Sequence, residues 1–267
     1  MAASADRPGD NGRQMHLETA PGDLAPHCLM VGSPARADAI ANKYLRCADF
    51  RRFENARRLP CYTGRYDGKL MSVVTHGMGG GMAGTAIAEA ARSGGRRFIR
   101  IGSCGTLKES ANVGDAIIVT GSVRYDGVSF PAYAPIEFPA VADYRIVAAL
   151  EKAAKEMPWP YHIGIGATSA DFTQGQARPR DDGWVSPRML AIEDELIRLS
   201  VVSWDMEDAT LLTWALTQGT PGKYWVGSVK AVFANRITKK LGIGEGEDQA
   251  IEIGIRAMHQ IACDYPL

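Results

Sequence analysis

The alternation of short apolar runs with helical patterns is the feature that most constrains the fold of this chain. Apolar runs with the length of buried strands occupy residues 27–33, 69–76, 96–103, 115–123, 161–169, 200–206 and 223–236. Apolar residues at helical spacing occupy residues 34–45, 82–94, 141–157, 189–199, 207–219 and 247–263. Alternating strands and helices of these lengths are typical of α/β proteins. We therefore expect an α/β fold, a single domain with a central mixed, largely parallel β-sheet flanked by helices.

The length and the composition of the chain favour one domain. Its 267 residues are 46% hydrophobic and can bury one large core. The first 14 residues are polar and lack the apolar segment of a signal peptide, so we expect a mobile N-terminal tail at 1–14 and a single domain over 15–267. No apolar run reaches the roughly 18 residues that cross a bilayer. These features predict a cytoplasmic protein without a membrane partner.

Charge and cysteine content argue against several classes of function. Thirty basic residues balance 30 acidic residues, which argues against nucleic acid as a partner. The five cysteines are odd in number and form no CxxC pair, which argues against a disulfide framework or a zinc site. We therefore expect no metal centre and a reducing compartment.

Glycine and arginine residues near two predicted strands indicate an anion site. Gly32 ends the first strand, and the helix that follows presents free N–H groups and a partial positive charge to an anion. Arg36, in the first turn of that helix, could bind the anion through two N–H groups; the alternative is a solvated surface residue. Arg100 lies inside an apolar strand, where a buried guanidinium needs an anionic partner. The alternative interpretation of Arg100 is an edge-strand position beside a carboxylate. Ser103, just after the strand, could donate its hydroxyl and N–H groups to the anion.

Polar residues after two later strands suit a ligand with an imide edge and a vicinal diol. Gln176 and Arg178 could bind alternating acceptors and donors of an imide, and Phe172 could stack on a ring. The alternative for these three residues is an ordinary polar loop. A carboxylate at the strand–helix junction near Glu207 could accept two hydrogen bonds from a diol. The alternative there is capping of the helix by Asp205, with Glu207 placed favourably in the field of the helix dipole.

Two further features have competing interpretations. Gly79, Gly81 and Gly84 form the G-x-G-x-x-G pattern of dinucleotide-binding proteins, directly after a strand. The following strand lacks the acidic residue that this function requires, so close packing of strand and helix is the alternative. Cys104 could be a nucleophile, but no histidine is placed beside it by sequence, which favours a small packed thiol.

Taken together, the segments GSPARAD, FIRIGSCGTL, NVGDAIIVTGSVRYDG, APIEFPAVADY, FTQGQAR and WDMEDATLLT resemble the nucleoside phosphorylases of the hexameric bacterial type, and within them the uridine phosphorylases. The resemblance extends from about His16 to Cys263. It implies a nucleoside phosphorylase-like fold and a pentosyltransferase that converts uridine and phosphate reversibly to uracil and ribose 1-phosphate in pyrimidine salvage, with deoxyuridine and thymidine as further candidate substrates. It also implies inorganic phosphate as co-substrate, no cofactor, and a homo-oligomer, a dimer or a hexamer built from dimers, whose sites are shared between subunits.

The resemblance also implies roles for individual residues. The implied phosphate-binding residues are Gly32, Arg36, Arg57 or its neighbour Arg58, Arg100 and Ser103. The implied ribose-binding residues are His16, Met206 and Glu207. The implied base-binding residues are Cys104, Gly105, Phe172, Gln176, Arg178 and Arg236. Of these, Arg36, Arg100, Arg178 and Glu207 would act in catalysis, and His16 and Arg57 would reach the site from a neighbouring subunit.

Four positions depart from the pattern of this family. The family commonly has aspartate at Ser33, threonine at Cys104, glutamate at Asp205, and at Arg58 a glutamate that helps to bind a monovalent cation in some members. We therefore do not expect that cation site here. Three rival functions remain: a purine nucleoside phosphorylase or a nucleosidase of the same fold, a non-catalytic nucleoside-binding protein, and an NAD-dependent oxidoreductase.

Overall fold

A computed structural model describes residues 9–10 and 12–267 of the chain. Residues 1–8 and 11, which belong to the segment expected to be a mobile tail, lie outside the described residues. In the described part of that segment, Gly9–Asp10 (β1) pairs antiparallel with Arg13–Gln14 (β2). The single domain expected over 15–267 remains a prediction.

One mixed sheet forms the centre of the described structure. Its ten strands are His27–Val31 (β3), Arg51–Phe53 (β4), Cys61–Tyr66 (β5), Lys69–Thr75 (β6), Arg97–Thr106 (β7), Ala116–Tyr125 (β8), Ala140–Val141 (β9), Tyr161–Ser169 (β10), Ser203–Asp205 (β11) and Trp225–Asn235 (β12). The strand order is β11-β10-β8-β12-β7-β3-β6-β5-β4, β9 pairs with β8, and β11 also pairs with β7. The five strands from β11 to β7 therefore close into a ring, and the remaining strands extend from it as an open sheet.

Helices cover both faces of the sheet. They are Pro34–Tyr44 (α1), Gly80–Arg92 (α2), Ser129–Ala132 (α3), Tyr144–Lys155 (α4), Pro187–Arg198 (α5), Asp208–Thr217 (α6) and Glu247–Asp264 (α7). Successive side chains of a strand point to opposite faces of the sheet, which divides the core into two clusters. Leu29 and Ile99 pack with α1, α4 and α7 on one face, and Met30 and Phe98 pack with α2 and α6 on the other. The expected α/β fold with a mixed sheet and flanking helices is confirmed.

Some element boundaries differ from the sequence-based expectation. The antiparallel strands β4 and β5 were not expected, because β4 is a short edge strand with two exposed arginines. The helix expected from residue 141 begins at Tyr144, because Val141 pairs with β8 and the side chain of Asp143 caps the helix by accepting a hydrogen bond from the Arg145 N–H group. The last strand before α6 contains only Ser203–Asp205.

The helices of the described residues include none that combines the length and the apolar composition needed to cross a membrane.

The buried position of Leu29 gives a prediction about stability. Leu29 is 0% exposed in β3, whereas Leu199, just after α5, is 67% exposed. We expect Leu29→Ala to lower the free energy of unfolding by about 2–5 kcal/mol, because it leaves a cavity in the core. Leu199→Ala, which removes the same atoms from the surface, should change it by less than about 0.5 kcal/mol. Chemical denaturation measures both, and equal losses would contradict the core described here.

Candidate active site

One cleft collects most of the residues singled out by sequence. It has a volume of about 870 Å³ and lies where β3, β7, β11 and β12 end. Twelve of the 14 expected site residues line it: Gly32, Arg36, Arg100, Ser103, Cys104, Gly105, Phe172, Gln176, Arg178, Met206, Glu207 and Arg236. This volume falls within the range of small-molecule sites, and the position at the carboxyl ends of strands is where α/β sheets bind ligands.

The remaining two expected residues do not line the cleft of their own chain. The Nδ1 atom of His16 lies 2.7 Å from Oε1 of Glu89 on α2, and Glu89 also accepts the backbone N–H group of His16. Arg57 is exposed in the loop before β5. Both residues were expected to act on a neighbouring subunit, so their absence from this cleft leaves that prediction untested.

Arg36 is buried at the N-terminal end of α1, so the alternative of a solvated surface residue is wrong. Its Nε and Nη2 atoms donate to the carboxylate of Glu247 at 2.9 and 3.2 Å, and Nη1 donates to the Ile101 carbonyl at 3.0 Å. These three bonds use three of the five N–H groups of the guanidinium. Two N–H groups therefore remain for a ligand in the cleft.

Arg100 is held by three carboxylates at the floor of the cleft. Its Nη1 atom donates to Asp205 at 2.8 Å and to Asp208 at 2.9 Å, and Nη2 donates to Glu207. The Nε atom has no hydrogen-bond partner among the described residues. Since β7 lies between β12 and β3, the expected alternative of an edge strand is wrong, although a carboxylate partner is present.

A glycine makes room for this arginine. Gly102 follows Arg100 by two residues on the same face of β7. A Cβ atom at Gly102 would lie 2.6–2.9 Å from three atoms of the Arg100 guanidinium. The glycine therefore lets the guanidinium fold back along the strand toward the cleft.

Lys230 is a buried residue that sequence reasoning missed. It lies on β12 with 0% exposure, and its Nζ atom is 2.8 Å from Asp208 and 3.4 Å from Asp205. Burial acts to lower the pKa of Lys230, but the two carboxylates outweigh it and raise the pKa above its ordinary value, so the lysine is charged. The signal that identified Arg100, a cation inside an apolar strand, was equally present at Lys230.

The groups around Asp205 shift its pKa in opposite directions. Burial and the neighbouring Asp208 raise the pKa of Asp205, and Lys230 and Arg100 act to lower it. The Oδ1 atom of Asp205 accepts from the Thr168 hydroxyl at 2.7 Å. Helix capping by Asp205 is therefore wrong as an interpretation, because its side chain is occupied within this network and α6 begins after Glu207.

Glu207 connects the glycine run to the cleft. Its Oε1 atom accepts from the Gly79 N–H group at 2.7 Å. Cβ atoms at Gly80 and Gly84 would lie 2.3 and 3.2 Å from side-chain atoms of Thr210 on α6. These distances favour close packing of α2 on α6 as the explanation for the glycine pattern.

At the opposite end of the cleft, the structure brings Phe172, Gln176 and Arg178 together. Nη1 of Arg178 donates to Oε1 of Gln176 at 2.7 Å, and Nε2 of Gln176 donates to the Asp205 carbonyl at 3.1 Å. The Arg178 guanidinium lies 3.7 Å from the centre of the Phe172 ring. Burial and the nearby Arg236 lower the pKa of Arg178 to about 10, so it remains charged at neutral pH. These contacts fix both donors in the cleft.

Arg236 and Cys104 also line the cleft. Arg236 donates to Glu193 of α5 at 2.6 and 3.0 Å. Cys104 is 6% exposed, and burial raises the pKa of its thiol to about 12. Because a neutral thiol is a poor nucleophile, the geometry favours a packed side chain over a catalytic one.

His76, at the end of β6, is a second residue that sequence reasoning missed. It is 0% exposed, and neither ring nitrogen has a hydrogen-bond partner among the described residues. Its Cε1 atom would lie 3.6 Å from a Cβ atom placed on Gly32, which lines the cleft. Burial lowers the pKa of His76 to about 4 despite the opposing charge of Glu207.

The comparisons with known proteins agree with this geometry. Residues 26–259 match the model of the phosphorylase superfamily. The chain belongs to this superfamily. A uridine phosphorylase of Thermococcus kodakarensis is 36% identical over 97% of this chain and 91% of its own, and one of Klebsiella aerogenes is 36% identical over 92% of this chain and 97% of its own. A guanosine phosphorylase of Halorubrum lacusprofundi is 32% identical over 68% of this chain and 74% of its own.

Within this phosphorylase superfamily member, the described residues contain no cluster of three or more His, Cys, Asp or Glu side chains arranged to bind a metal ion.

The buried His76 gives a prediction about pH. Its pKa in the folded state is about 4, below the ordinary value of 6.5, so between these values the unfolded chain binds a proton that the folded chain does not. The contribution of His76 to the free energy of unfolding is therefore fully present above pH 6.5. It is lost as pH falls toward 4, by up to about 1.4 kcal/mol per pH unit. We expect His76→Asn to make the loss of unfolding free energy between pH 7 and pH 4.5 smaller than in the wild type. Urea denaturation at several pH values measures the slope, and an unchanged slope would contradict a neutral buried imidazole.

Proposed function

We propose that this protein catalyses the reversible phosphorolysis of uridine. In this reaction the bond between the ribose C1′ and the uracil N1 breaks with its electron pair going to the base, and a bond from C1′ to an oxygen of hydrogen phosphate forms. The proton of hydrogen phosphate ends on uracil N1, and uracil and ribose 1-phosphate leave. The uridine phosphorylases that match more than 90% of the chain support the proposal. The observation that carries it is one cleft that holds Arg36 and Arg100 together with Glu207, Gln176 and Arg178. The enzyme is then a pentosyltransferase of pyrimidine salvage that uses phosphate as co-substrate.

At one end of the cleft, phosphate would bind between the two arginines. Gly32 and Ser103 also line this end, and the N-terminus of α1 directs its free N–H groups and partial positive charge there. Arg36 and Arg100 each retain N–H groups that their present partners do not use. Phosphate would compete with the carboxylates of Asp205, Glu207 and Asp208 for Arg100.

In the middle of the cleft, Glu207 and Met206 would hold the ribose. The Glu207 carboxylate already accepts bonds from Gly79 and Arg100, and a carboxylate has about four acceptor sites, so it can also accept the 2′- and 3′-hydroxyls. As the glycosidic bond stretches, positive charge develops on the ribose, and the phosphate dianion beneath C1′ stabilises it. No acid or base at the sugar is needed, because orientation and charge lower the barrier.

At the other end, the leaving uracil would be stabilised by Arg178 and Gln176. Negative charge develops on the base as the bond breaks, and a fixed cation and amide donor beside it offset that charge. The bonds from Arg178 to Gln176 and from Gln176 to the Asp205 carbonyl keep both groups oriented before substrate arrives. Phe172, beneath the Arg178 guanidinium, would lie against the base.

We further propose a homo-oligomer, a dimer or a hexamer built from dimers, in which His16 and Arg57 reach the cleft of a neighbouring subunit. His16 would bind the ribose 5′-hydroxyl, and Arg57 would bind the phosphate. A surface rich in apolar side chains supports an interface: Ile136, Phe138 and Val141 are 48%, 37% and 45% exposed and line a second concavity of about 530 Å³.

We also propose a cytoplasmic location. The five cysteines are free, and free thiols suit a reducing compartment.

The direct test is an assay of base release. With uridine as substrate, we expect free uracil to form only when inorganic phosphate is present. Inosine and guanosine should react far more slowly, and the guanosine phosphorylase among the relatives makes this comparison necessary. Release of uracil without phosphate would indicate a nucleosidase, faster release of a purine would indicate a purine nucleoside phosphorylase, and tight uridine binding without release would indicate a binding protein.

Two substitutions test the roles proposed for the base-binding end and the middle of the cleft. We expect Arg178→Ala and Glu207→Ala each to lower kcat/KM for uridine at least about tenfold, because each removes a charged contact that stabilises the transition state. Arg180→Ala is the matched control, since Arg180 is exposed, pairs with Asp182 and does not line the cleft. Wild-type steady-state kinetics in either cleft variant would contradict its role.

Mixing of inactive variants tests the shared site. His16→Ala alone and Glu207→Ala alone should each impair every site of the oligomer. When the two proteins are unfolded together and reassembled, about a quarter of the sites in a randomly mixed dimer should regain both residues. Uracil release should then rise well above that of either parent. If the mixture is no more active than its components, His16 does not act across an interface.

A further inference from the structure

At the floor of the cleft, and extending below it, lies a group of five buried ionisable side chains, here called the charge cluster. It contains Arg100, Asp205, Glu207, Asp208 and Lys230. The side chain of each member is at most 8% exposed, and those of Asp208 and Lys230 are 0% exposed. Burying this many charges is costly unless each is paired, so their arrangement has consequences for any ligand that binds nearby.

The charge cluster holds more negative than positive groups. Three carboxylates face two cations, which gives a formal charge of −1 when all are ionised. The carboxylates all contact Arg100, whereas Lys230 contacts only Asp205 and Asp208. A phosphate that binds Arg100 must therefore approach a region in which carboxylates already outnumber cations, and like charges repel strongly where water is excluded.

Lys230 lies outside the lining of the cleft, so it cannot touch a substrate there. Its Nζ atom lies 2.8 Å from Asp208 and 3.4 Å from Asp205. Any influence of Lys230 on the reaction must therefore act through these carboxylates and Arg100.

We propose that Lys230 is a positioning residue that sets the affinity for phosphate, because its charge offsets those of Asp208 and Asp205 and so lets Arg100 exchange carboxylates for phosphate. This inference rests on the proposed function, in which Arg100 binds the phosphate. Without the lysine, Arg100 would be the one cationic partner left to Asp205 and Asp208 among the described residues, and the formal charge of the cluster would become −2. Phosphate would then lose Arg100 as a hydrogen-bond partner and would meet a more negative electrostatic potential.

The same logic predicts a characteristic pH dependence. Asp205 faces Arg100 and Cys104 on β7, Glu207 and Asp208 at the start of α6, Lys230 on β12 and the hydroxyl of Thr168 on β10. When Lys230 is absent, a proton on Asp205 can replace the missing positive charge at low pH but not at high pH. The phosphate affinity of a lysine-free variant, relative to wild type at the same pH, should therefore fall as pH rises.

A series of variants with stepwise charge tests the proposal. Lys230→Met, Asp208→Asn and the double variant give the cluster formal charges of −2, 0 and −1. The Kd for inorganic phosphate is measured by calorimetry without nucleoside. We expect binding to be at least about tenfold weaker in Lys230→Met than in wild type, and equal or tighter in Asp208→Asn. The Kd of the double variant should lie within about threefold of wild type. KM for phosphate should follow the same order, while KM for uridine stays within about threefold. Lys155→Met, which removes an exposed lysine, should leave the Kd unchanged.

The outcomes separate this inference from the proposed function. If wild type binds phosphate but releases no uracil from uridine, the proposed function fails, and the Kd series still decides the role of Lys230. The inference is overturned if Lys230→Met binds phosphate like wild type, if its deficit relative to wild type does not grow between pH 6 and pH 8.5, or if Asp208→Asn weakens phosphate binding. Should Lys230→Met fail to fold, Asp208→Asn and the double variant decide. The proposal predicts that neither loses much phosphate affinity, whereas a merely structural role of the cluster predicts weaker binding in both.

Discussion

The buried guanidinium of Arg100 is the constraint on which the rest of the site depends. It lies on a central strand, where its charge would be prohibitive without anionic partners, and three carboxylates from β11 and the start of α6 supply them. The same carboxylates include Glu207, which lines the cleft, so the pairing that stabilises the fold also positions the carboxylate proposed to bind the ribose. Lys230 on β12 offsets the surplus of negative charge. The proposed phosphate site and the stability of the fold therefore share one network, and we expect a change in either cation to affect both.

The topology explains why residues distant in sequence meet in one cleft. The pairing of β11 with β7 closes five strands into a ring, which brings the ends of β7, β11 and β12 together above Arg100. Gly102 leaves space for the guanidinium, and the loop after β10 brings Gln176 and Arg178 over the opposite side. The end proposed to bind phosphate and the end proposed to bind the base are thus separated by the carboxylate of Glu207. This order matches the order of phosphate, ribose and base in the proposed reaction.

Much of the fold and the site could be predicted from the sequence, because periodicity specifies helices and buried strands, and because cations at strand ends stand out against an apolar background. Strand β4 could not be predicted because it lies at the edge of the sheet and carries exposed arginines, and β5 was missed because Thr63 and Gly64 interrupt the apolar pattern of its buried residues. Lys230 carried the same signal as Arg100, a cation inside an apolar strand, but its carboxylate partners depend on which strands are neighbours, and periodicity does not reveal strand order. His76 was missed because its burial depends on how the elements pack. The partners of Arg36 and Arg100 were also beyond prediction, because Glu247 and Asp208 are distant in sequence and only the folded chain brings them close.

The most direct measurement is a crystal structure of the protein with inorganic phosphate bound. The proposed arrangement predicts phosphate oxygens within hydrogen-bond distance of both the Arg36 and the Arg100 guanidinium groups, with at least one carboxylate contact of Arg100 lengthened or replaced. Phosphate bound elsewhere, or an Arg100 that keeps all three carboxylates and makes no contact with the anion, would contradict it.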